Sequence, residues 1–554
     1  MYLEDLDKLD KDSILDRDLF VELMEYESEI DRTEKVIELM DKAKLFGVKE
    51  KFKAMYSACL KEKKKFDADK KKIQRTDMSY NVTDFSGNYP SLNCGCWIAN
   101  DGGIYTITMF GEKVACPHPI LPIQILTNAE TGYCKVVLAY KVRNKWRETT
   151  VDKETISSNT KIISLAKNGI MVTSENARAL VQYLSDIESL NEDTIIEQVS
   201  TSKLGWIGGE FMPYGQNIVF DNEQNLKCVF DSIKSVGSRD AWYNLVKSIR
   251  QNGKLEAKIY IVASLASILV EPLNALPFVV NLWGDTGKGK TVALMLATSI
   301  WASPSEGAYM SDAKATPTAM ESRMGFLNNL PMLLDDMAQV KNQYDGDFSS
   351  LIYLWCAGKG KERSNRNLGL NSNNTWRNVI ITNAEHSLVT STMQGGAVNR
   401  IIDVEMSDGY IFENGNEVVE TLKSNYGFAG REFVEIVKDL GFDVIKEIQK
   451  DFYNQIVALA EKDGVEKEEK QILPMSILLT ADKLANEHLF HDGYTLDLQT
   501  CVDLLKNRNE VSENERAYQY ILDEIAINMN KFKPDTFGEF HGEQWGLLKT
   551  GKRS

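Results

Sequence analysis

Histidine and cysteine are scarce in this chain, five and eight in 554 residues. Eight thiols over that length do not make a disulfide framework and suit a reducing, cytoplasmic compartment. The histidines are scattered, and no Ser/His/Asp or Cys/His catalytic set emerges from them. Cys94, Cys96, Cys116 and His118 stand close enough to be candidate zinc ligands. Their spacing is not that of a standard zinc finger, and cysteines buried in strands account for the same residues. A long hydrophobic run is also missing. The start, Met1-Tyr2-Leu3-Glu4-Asp5, is acidic and has no apolar signal core. The most apolar stretch, Ile259 to Leu282, is broken by Glu271, Pro272 and Asn274, so it predicts a buried helix and then a strand, with no membrane span. Positive charge is in deficit: 64 Lys and Arg face 80 Asp and Glu, a formal net charge of −16. A chain coated everywhere with nucleic-acid-binding charge is excluded, and any such contact must be local.

What is present is concentrated near the middle. Gly284-Asp285-Thr286-Gly287-Lys288-Gly289-Lys290-Thr291 fits the pattern G-x-x-x-x-G-K-[ST]. Such a loop turns backbone N–H groups toward phosphates, brings a lysine charge (Lys290) to the β and γ phosphates, and offers a hydroxyl (Thr291) to Mg²⁺. Its context suits the motif: Leu276 to Trp283 predicts a buried strand, and Val292 to Trp301 a helix too apolar for the surface. A site for ATP with Mg²⁺ is therefore expected. Some forty-five residues on, Leu330-Pro331-Met332-Leu333-Leu334-Asp335-Asp336 predicts a short buried strand ending in paired carboxylates. Asp335 is expected in the Mg²⁺ shell and Asp336 as the group that polarises the attacking water. A third strand, Asn378 to Asn383, ends in an amide that could orient that water, although a turn asparagine explains Asn383 equally well.

Around this core the pattern changes. Up to Asp41 there are 15 acids and 5 bases, and from Lys42 to Arg75 there are 13 bases and 4 acids. Leu19, Leu23, Tyr26 and Ile30 recur at helical spacing, so residues 1–78 are expected to form a helical, charge-dipolar region. The basic run from Lys61 to Lys72 is a solvated face, a partner for the acidic half, or a phosphate contact. Residues 79–235 predict an α+β domain of short alternating strands, such as 104–110 and 134–140, with a helix near 177–184. An ATPase core follows at 236–410, a helical lid at 411–530, and the start of a further element or tail at 531–554. Between the second and third strands of the core, Lys359, Lys361, Arg363 and Arg366 face a single acid, Glu362, amid glycines and asparagines. A protruding hairpin there is a candidate grip for a nucleic-acid backbone, and a solvated loop or subunit contact is the alternative.

The order phosphate loop, paired acids, strand-end Asn and then Asn399-Arg400-Ile401-Ile402-Asp403 resembles ring-forming helicases of the AAA+ class. The Leu-Leu-Asp-Asp form looks like superfamily 3 viral helicases, and the Asn399 to Asp403 run resembles the arginine-finger motif of minichromosome maintenance helicases. The closer resemblance is to phage and mobile-element ATPases grouped as domain of unknown function 927. It is carried by Leu121-Pro122-Ile123, Leu165 to Ile170, Gly205-Trp206, Ala297 to Trp301, Trp355 to Lys361 and Tyr426 to Gly430, across roughly residues 82–440. The resemblance implies an α/β P-loop NTPase core of AAA+ type behind an N-terminal α+β domain and a helical N-terminal segment. It implies a cytoplasmic, ring-forming, hexameric ATP-dependent helicase on single-stranded or forked DNA, with a primase or replication-initiation partner and no membrane. Arg400 would then be an arginine finger acting on a neighbouring subunit's nucleotide, and Arg431 a second nucleotide sensor. Asp336 departs from the Glu that many AAA+ motors carry, which leaves the water-activating role open. A packaging or remodelling motor, or an ATP-gated anti-phage assembly, are the alternative functions.

Overall fold

The computed structural model describes residues 9–24, 26, 28–74, 81–108, 111–221, 226–337, 347–361, 374–390, 393–462, 469–506, 513–534 and 543–548. The chain divides into two compact units, one of residues 1–124 and 136–196, the other of 125–135 and 197–554. This division differs from the expected boundary at 235. Within the second unit, Ile218–Phe220 pairs in parallel with Val199–Thr201, Ala129 N–H bonds to the Ser200 carbonyl, and the segment around Leu204 and Trp206 bonds further along the chain. Leu204 N–H donates to the Phe326 carbonyl at 2.8 Å, and Trp206 Nε1–H to the Ile268 carbonyl at 2.8 Å.

The first unit opens with three helices, α1 (Arg17–Met24), α2 (Glu29–Leu45) and α3 (Lys49–Gln74). Ser28 caps α2 by accepting from Asp31 N–H. Leu19, Leu23, Leu39 and Phe52 are buried at helical spacing, and Phe20 meets Phe52 at a ring separation of 5.0 Å. An antiparallel meander follows, β1 (Ile98–Asn100), β2 (Gly103–Thr108) and β3 (Gly111–Cys116). The predicted strand at 134–140 is Cys134–Val142, and the predicted helix is α4 (Ala177–Leu190). Trp97 anchors this region, donating to Asp186 at 3.0 Å and packing edge-on against Tyr183.

The second unit is built on a five-stranded sheet. Helices α5 (Arg239–Asn252) and α6 (Leu255–Ala266) lead into β4 (Phe278–Trp283), and α7 (Lys290–Ser299) follows it. The remaining strands are β5 (Ser311–Asp312), β6 (Met332–Asp335), β7 (Val379–Ala384) and β8 (Ile401–Glu405). They lie in the order β5-β6-β7-β4-β8, and every pairing is parallel. Both faces of the sheet are covered, which is why β4 and β7 read as near-continuous apolar runs and are buried almost throughout. Helix α6 is buried on every side, hence its uniform apolarity. Between β5 and β6 lies α8 (Pro317–Leu327), and between β6 and β7 lies α9 (Ser349–Cys356). Beyond β8 the described chain is mainly helical, beginning with α10 (Gly415–Ser424), α11 (Ala429–Leu440), α12 (Phe442–Lys462) and α13 (Glu469–Leu484). Arg250 ties α5 to this helical part. Its buried guanidinium donates to Asp482 at 2.8 Å and Asp492 at 2.6 Å, and to the Tyr494 carbonyl at 2.9 Å. No helix among the described residues is long and apolar enough to cross a membrane.

Candidate nucleotide site

In an open parallel sheet, ligands collect beyond the carboxyl ends of the strands, where the chain leaves toward opposite edges. β4 is such a strand, flanked by β7 on one side and β8 on the other. The glycine loop leaves its carboxyl end and enters α7 directly, so the N–H groups of the first helical turn face the same space. Two glycines in the loop are required by geometry. Gly289 has φ +103°, and at Gly284 (φ +147°) a Cβ would lie 2.9 Å from the Met406 side chain. Lys290 Nζ is folded onto its own loop, donating to the Gly284 carbonyl at 2.6 Å and the Asp285 carbonyl at 2.7 Å. Burial pulls its ammonium below the usual lysine range, against the opposing pull of Glu385, Asp285, Asp336 and Asp335.

The sheet register delivers the other polar groups. Leu282 of β4 pairs with Asn383 of β7, and Leu334 of β6 with Thr382, so Asn383 falls beside Asp335. Asn383 Nδ2 donates to Asp335 Oδ1 at 2.7 Å, and Asn383 Oδ1 accepts from Asp336 N–H at 2.8 Å. Thr291 Oγ1 donates to the same Asp335 oxygen at 3.2 Å. Asp336 takes φ +57°, an uncommon conformation for a residue with a side chain, and the Asn383 amide braces it. Thr286, Gly287, Gly289, Lys290, Thr291, Asp335, Asp336 and Asn383 line one cleft of about 430 Å³. Asp312 and Glu385 line it too, and sequence reasoning missed both. Asp312 ends a two-residue strand with no periodicity to read, and Glu385 follows Asn383 as an ordinary exposed acid.

Other predicted residues lie elsewhere. Arg400 is not in this cleft. Its carbonyl accepts from Val279 N–H at 2.8 Å, which puts it at the amino end of β8, about 17 Å of strand from the glycine loop. Its guanidinium donates to the Gly396 carbonyl and lies 4.9 Å over the Tyr353 ring. Arg431 is exposed at the far end of α7, where the neighbouring Gly430 N–H bonds to the Ile300 carbonyl at 2.9 Å. That is about 15 Å along the helix from the loop, and Arg431 is not among the residues that line the cleft. Lys359 and Lys361 are exposed, Lys359 forms an antiparallel bridge with Thr375, and Gly360 N–H bonds to the Asn374 carbonyl at 2.8 Å, while the expected hairpin at 362–373 lies outside the described residues. Buried Trp376, donating to the Trp355 carbonyl at 2.7 Å, holds the segment beside Thr375. Arg363 and Arg366 lie outside the described residues.

The candidate zinc ligands have other partners. The Cys94 thiol donates to backbone carbonyls, burial pushes it up to about 11 and Cys116 up to about 12, and Cys96 is exposed. His118 accepts from Met171 N–H at Nε2 (3.0 Å) and donates from Nδ1 to the Pro119 carbonyl (3.1 Å). Among the described residues no group of three or more His, Cys, Asp or Glu is placed to hold a metal ion.

Residues 100–375 match the family model described as domain of unknown function, DUF927, as the resemblance in the sequence implied. No curated protein matches the chain. Among solved structures it is similar to one described as "SCCmec type IV Cch - active helicase", at 16% identity and a TM-score of 0.59. That likeness covers 82% of this chain and 86% of the other, and it is a likeness of fold. A second, the apo A form of the NrS-1 C-terminal region, aligns at 13% identity over 67% of this chain and 88% of that one. Its TM-score of 0.24 carries no argument.

Proposed function

With residues 100–375 matching the DUF927 family model, we propose that the chain is a cytoplasmic, Mg²⁺-dependent ATPase of the P-loop, AAA+ type that works as a ring-forming DNA helicase for a phage or mobile element. The observation that carries the ATPase reading is the corner at Asp335, where Thr291, Asn383 and the backbone of Asp336 meet beside the loop bearing Lys290. Each has a role in phosphoryl transfer. Lys290, now bonded to two loop carbonyls, turns to the β and γ phosphates. Thr291 and Asp335 offer hard oxygen donors 3.2 Å apart, which fit Mg²⁺, and the ion would supply charge neutralisation at the phosphates. Asp336 and Asn383 hold and polarise the attacking water, and the braced backbone at Asp336 pre-sets the carboxylate for that task.

Two further observations support a ring that moves on DNA. Arg400 is too far from its own chain's loop to act there, whereas a neighbouring copy could bring it to the nucleotide as an arginine finger. The segment at Lys359 and Lys361 gathers positive charge on an acidic chain, which suits the backbone of single-stranded or forked DNA. The fold likeness to a protein described as an active helicase supports the same reading. A hexamer is the ring we propose, with a primase or initiation protein as partner. Lys290→Ala tests the core of the reading. It removes a charge from the phosphates and no group from the core, so the variant folds and loses ATP hydrolysis. Retained Mg²⁺-dependent turnover would remove the assignment.

A further inference from the structure

The segment that follows β8 crosses the rim of the glycine loop as a strap. It is held at four points: Met406 N–H to the Trp283 carbonyl at 2.9 Å, Ser407 N–H and Oγ to buried Glu256 at 2.6 Å, Lys254 Nζ to the Asp408 carbonyl, and Ile411 N–H to the Lys288 carbonyl at 3.0 Å. Ile411 and Phe412 are buried, and a Cβ on Gly289 would lie 3.5–3.6 Å from them, so the strap and the loop pack as one body. At the crest of this fixed strap stands Tyr410, which is 65% exposed. The Lys288 ammonium sits 5.0 Å from the ring centroid on one face, and the exposure leaves the other face to solvent. A singly exposed aromatic is ordinary, and what singles Tyr410 out is its place on a strap bonded to the phosphate loop, with a loop lysine on one face of its ring.

The order of the strands says which occupant. The acids Asp312, Asp335, Asp336 and Glu385, with Asn383, lie on or next to β5, β6 and β7 on one side of β4, and they form a polar wall suited to the Mg²⁺ and attacking water that meet the γ phosphate. The strap follows β8 on the opposite side. A nucleotide whose γ phosphate faces the acids must run toward the strap, and its base is a flat, weakly polar ring that needs an aromatic face to lie on. We propose that Tyr410 is the nucleobase platform of this site, stacking the purine of ATP against its free face. This rests on the nucleotide reading above. Stacking grips any purine by its face and reads no edge, so Tyr410 sets affinity for the base more than the choice among purines.

The test compares ATP with inorganic tripolyphosphate, which has the phosphates and no base. Tyr410→Ala should raise KM for ATP about tenfold or more, with the loss falling on KM and not on kcat, and should leave tripolyphosphate affinity unchanged. Tyr410→Phe should restore ATP affinity. Unchanged ATP affinity in Tyr410→Ala overturns the proposal while the phosphate-loop reading stands. An equal loss for tripolyphosphate also overturns it, since the strap would then act only through the loop. If the parent protein binds neither compound, the nucleotide reading falls first and this proposal with it.

Discussion

Asn383→Leu is the sharpest perturbation of the proposed chemistry, because Asn383 is 3% exposed and touches both carboxylate-bearing residues without being a ligand of the phosphates. Leucine keeps the volume and removes two hydrogen bonds. The bond to Asp335 is charge-assisted and worth about 1.5–3 kcal/mol, and the bond to Asp336 N–H about 1 kcal/mol. Asp335 and Asp336 are only half-buried, so water recovers part of the loss. A net cost of about 2 kcal/mol to the aligned corner is reasonable, which corresponds to about thirtyfold in turnover if alignment matters in the transition state. ATP affinity should change less than about fivefold, since Lys290 and the loop amides are untouched. The assay is steady-state phosphate release alongside equilibrium binding of a fluorescent ATP analogue, with cooperative thermal unfolding as the check on folding. Turnover within twofold of the parent would refute the reasoning, and so would affinity falling in step with turnover.

If Arg400 acts on a neighbouring subunit, Arg400→Ala should bind ATP in its own site and fail to hydrolyse it. Mixing it with Lys290→Ala subunits should restore part of the activity in verified mixed rings, because some interfaces then pair an intact loop with an intact finger. No rescue would leave Arg400 with the structural role its bonds to Gly396 and Tyr353 describe. For the expected hairpin, replacing Lys361, Arg363 and Arg366 by Ala should flatten the slope of log affinity against log salt for single-stranded DNA by about 2, at ~0.7 for each phosphate no longer neutralised. An unchanged slope would move the grip elsewhere, with the basic run of α3 the next place to look.

The site was legible where its residues are contiguous or end an apolar run. The glycine loop spells its own geometry, and Asp335 and Asn383 stand where buried strands must deliver them. Periodicity also found β4, β6, β7 and α7 to within a few residues. What stayed hidden depends on chain crossings that no local pattern records. Arg250 meets Asp482 and Asp492 from 232 and 242 residues away. Tyr410 reads as one aromatic in a polar turn until the strap is seen across the loop. The expected boundary near 235 rests on the short strands of 197–220, which resemble those before them, while Leu204 and Trp206 bond to Phe326 and Ile268, contacts that no local pattern records. Arg431 follows a small-residue pair that resembled a family motif, and the packing of Gly430 on Trp301 carries it to the far end of α7.

The central claim is that ATP turnover in this cleft drives movement on DNA, and the most direct measurement is the ATPase rate of the purified chain with and without single-stranded DNA. The account predicts a severalfold rise with DNA that disappears in Lys290→Ala. A rate indifferent to single-stranded DNA, in protein that binds ATP normally, would contradict it and favour an ATP-gated assembly over a motor.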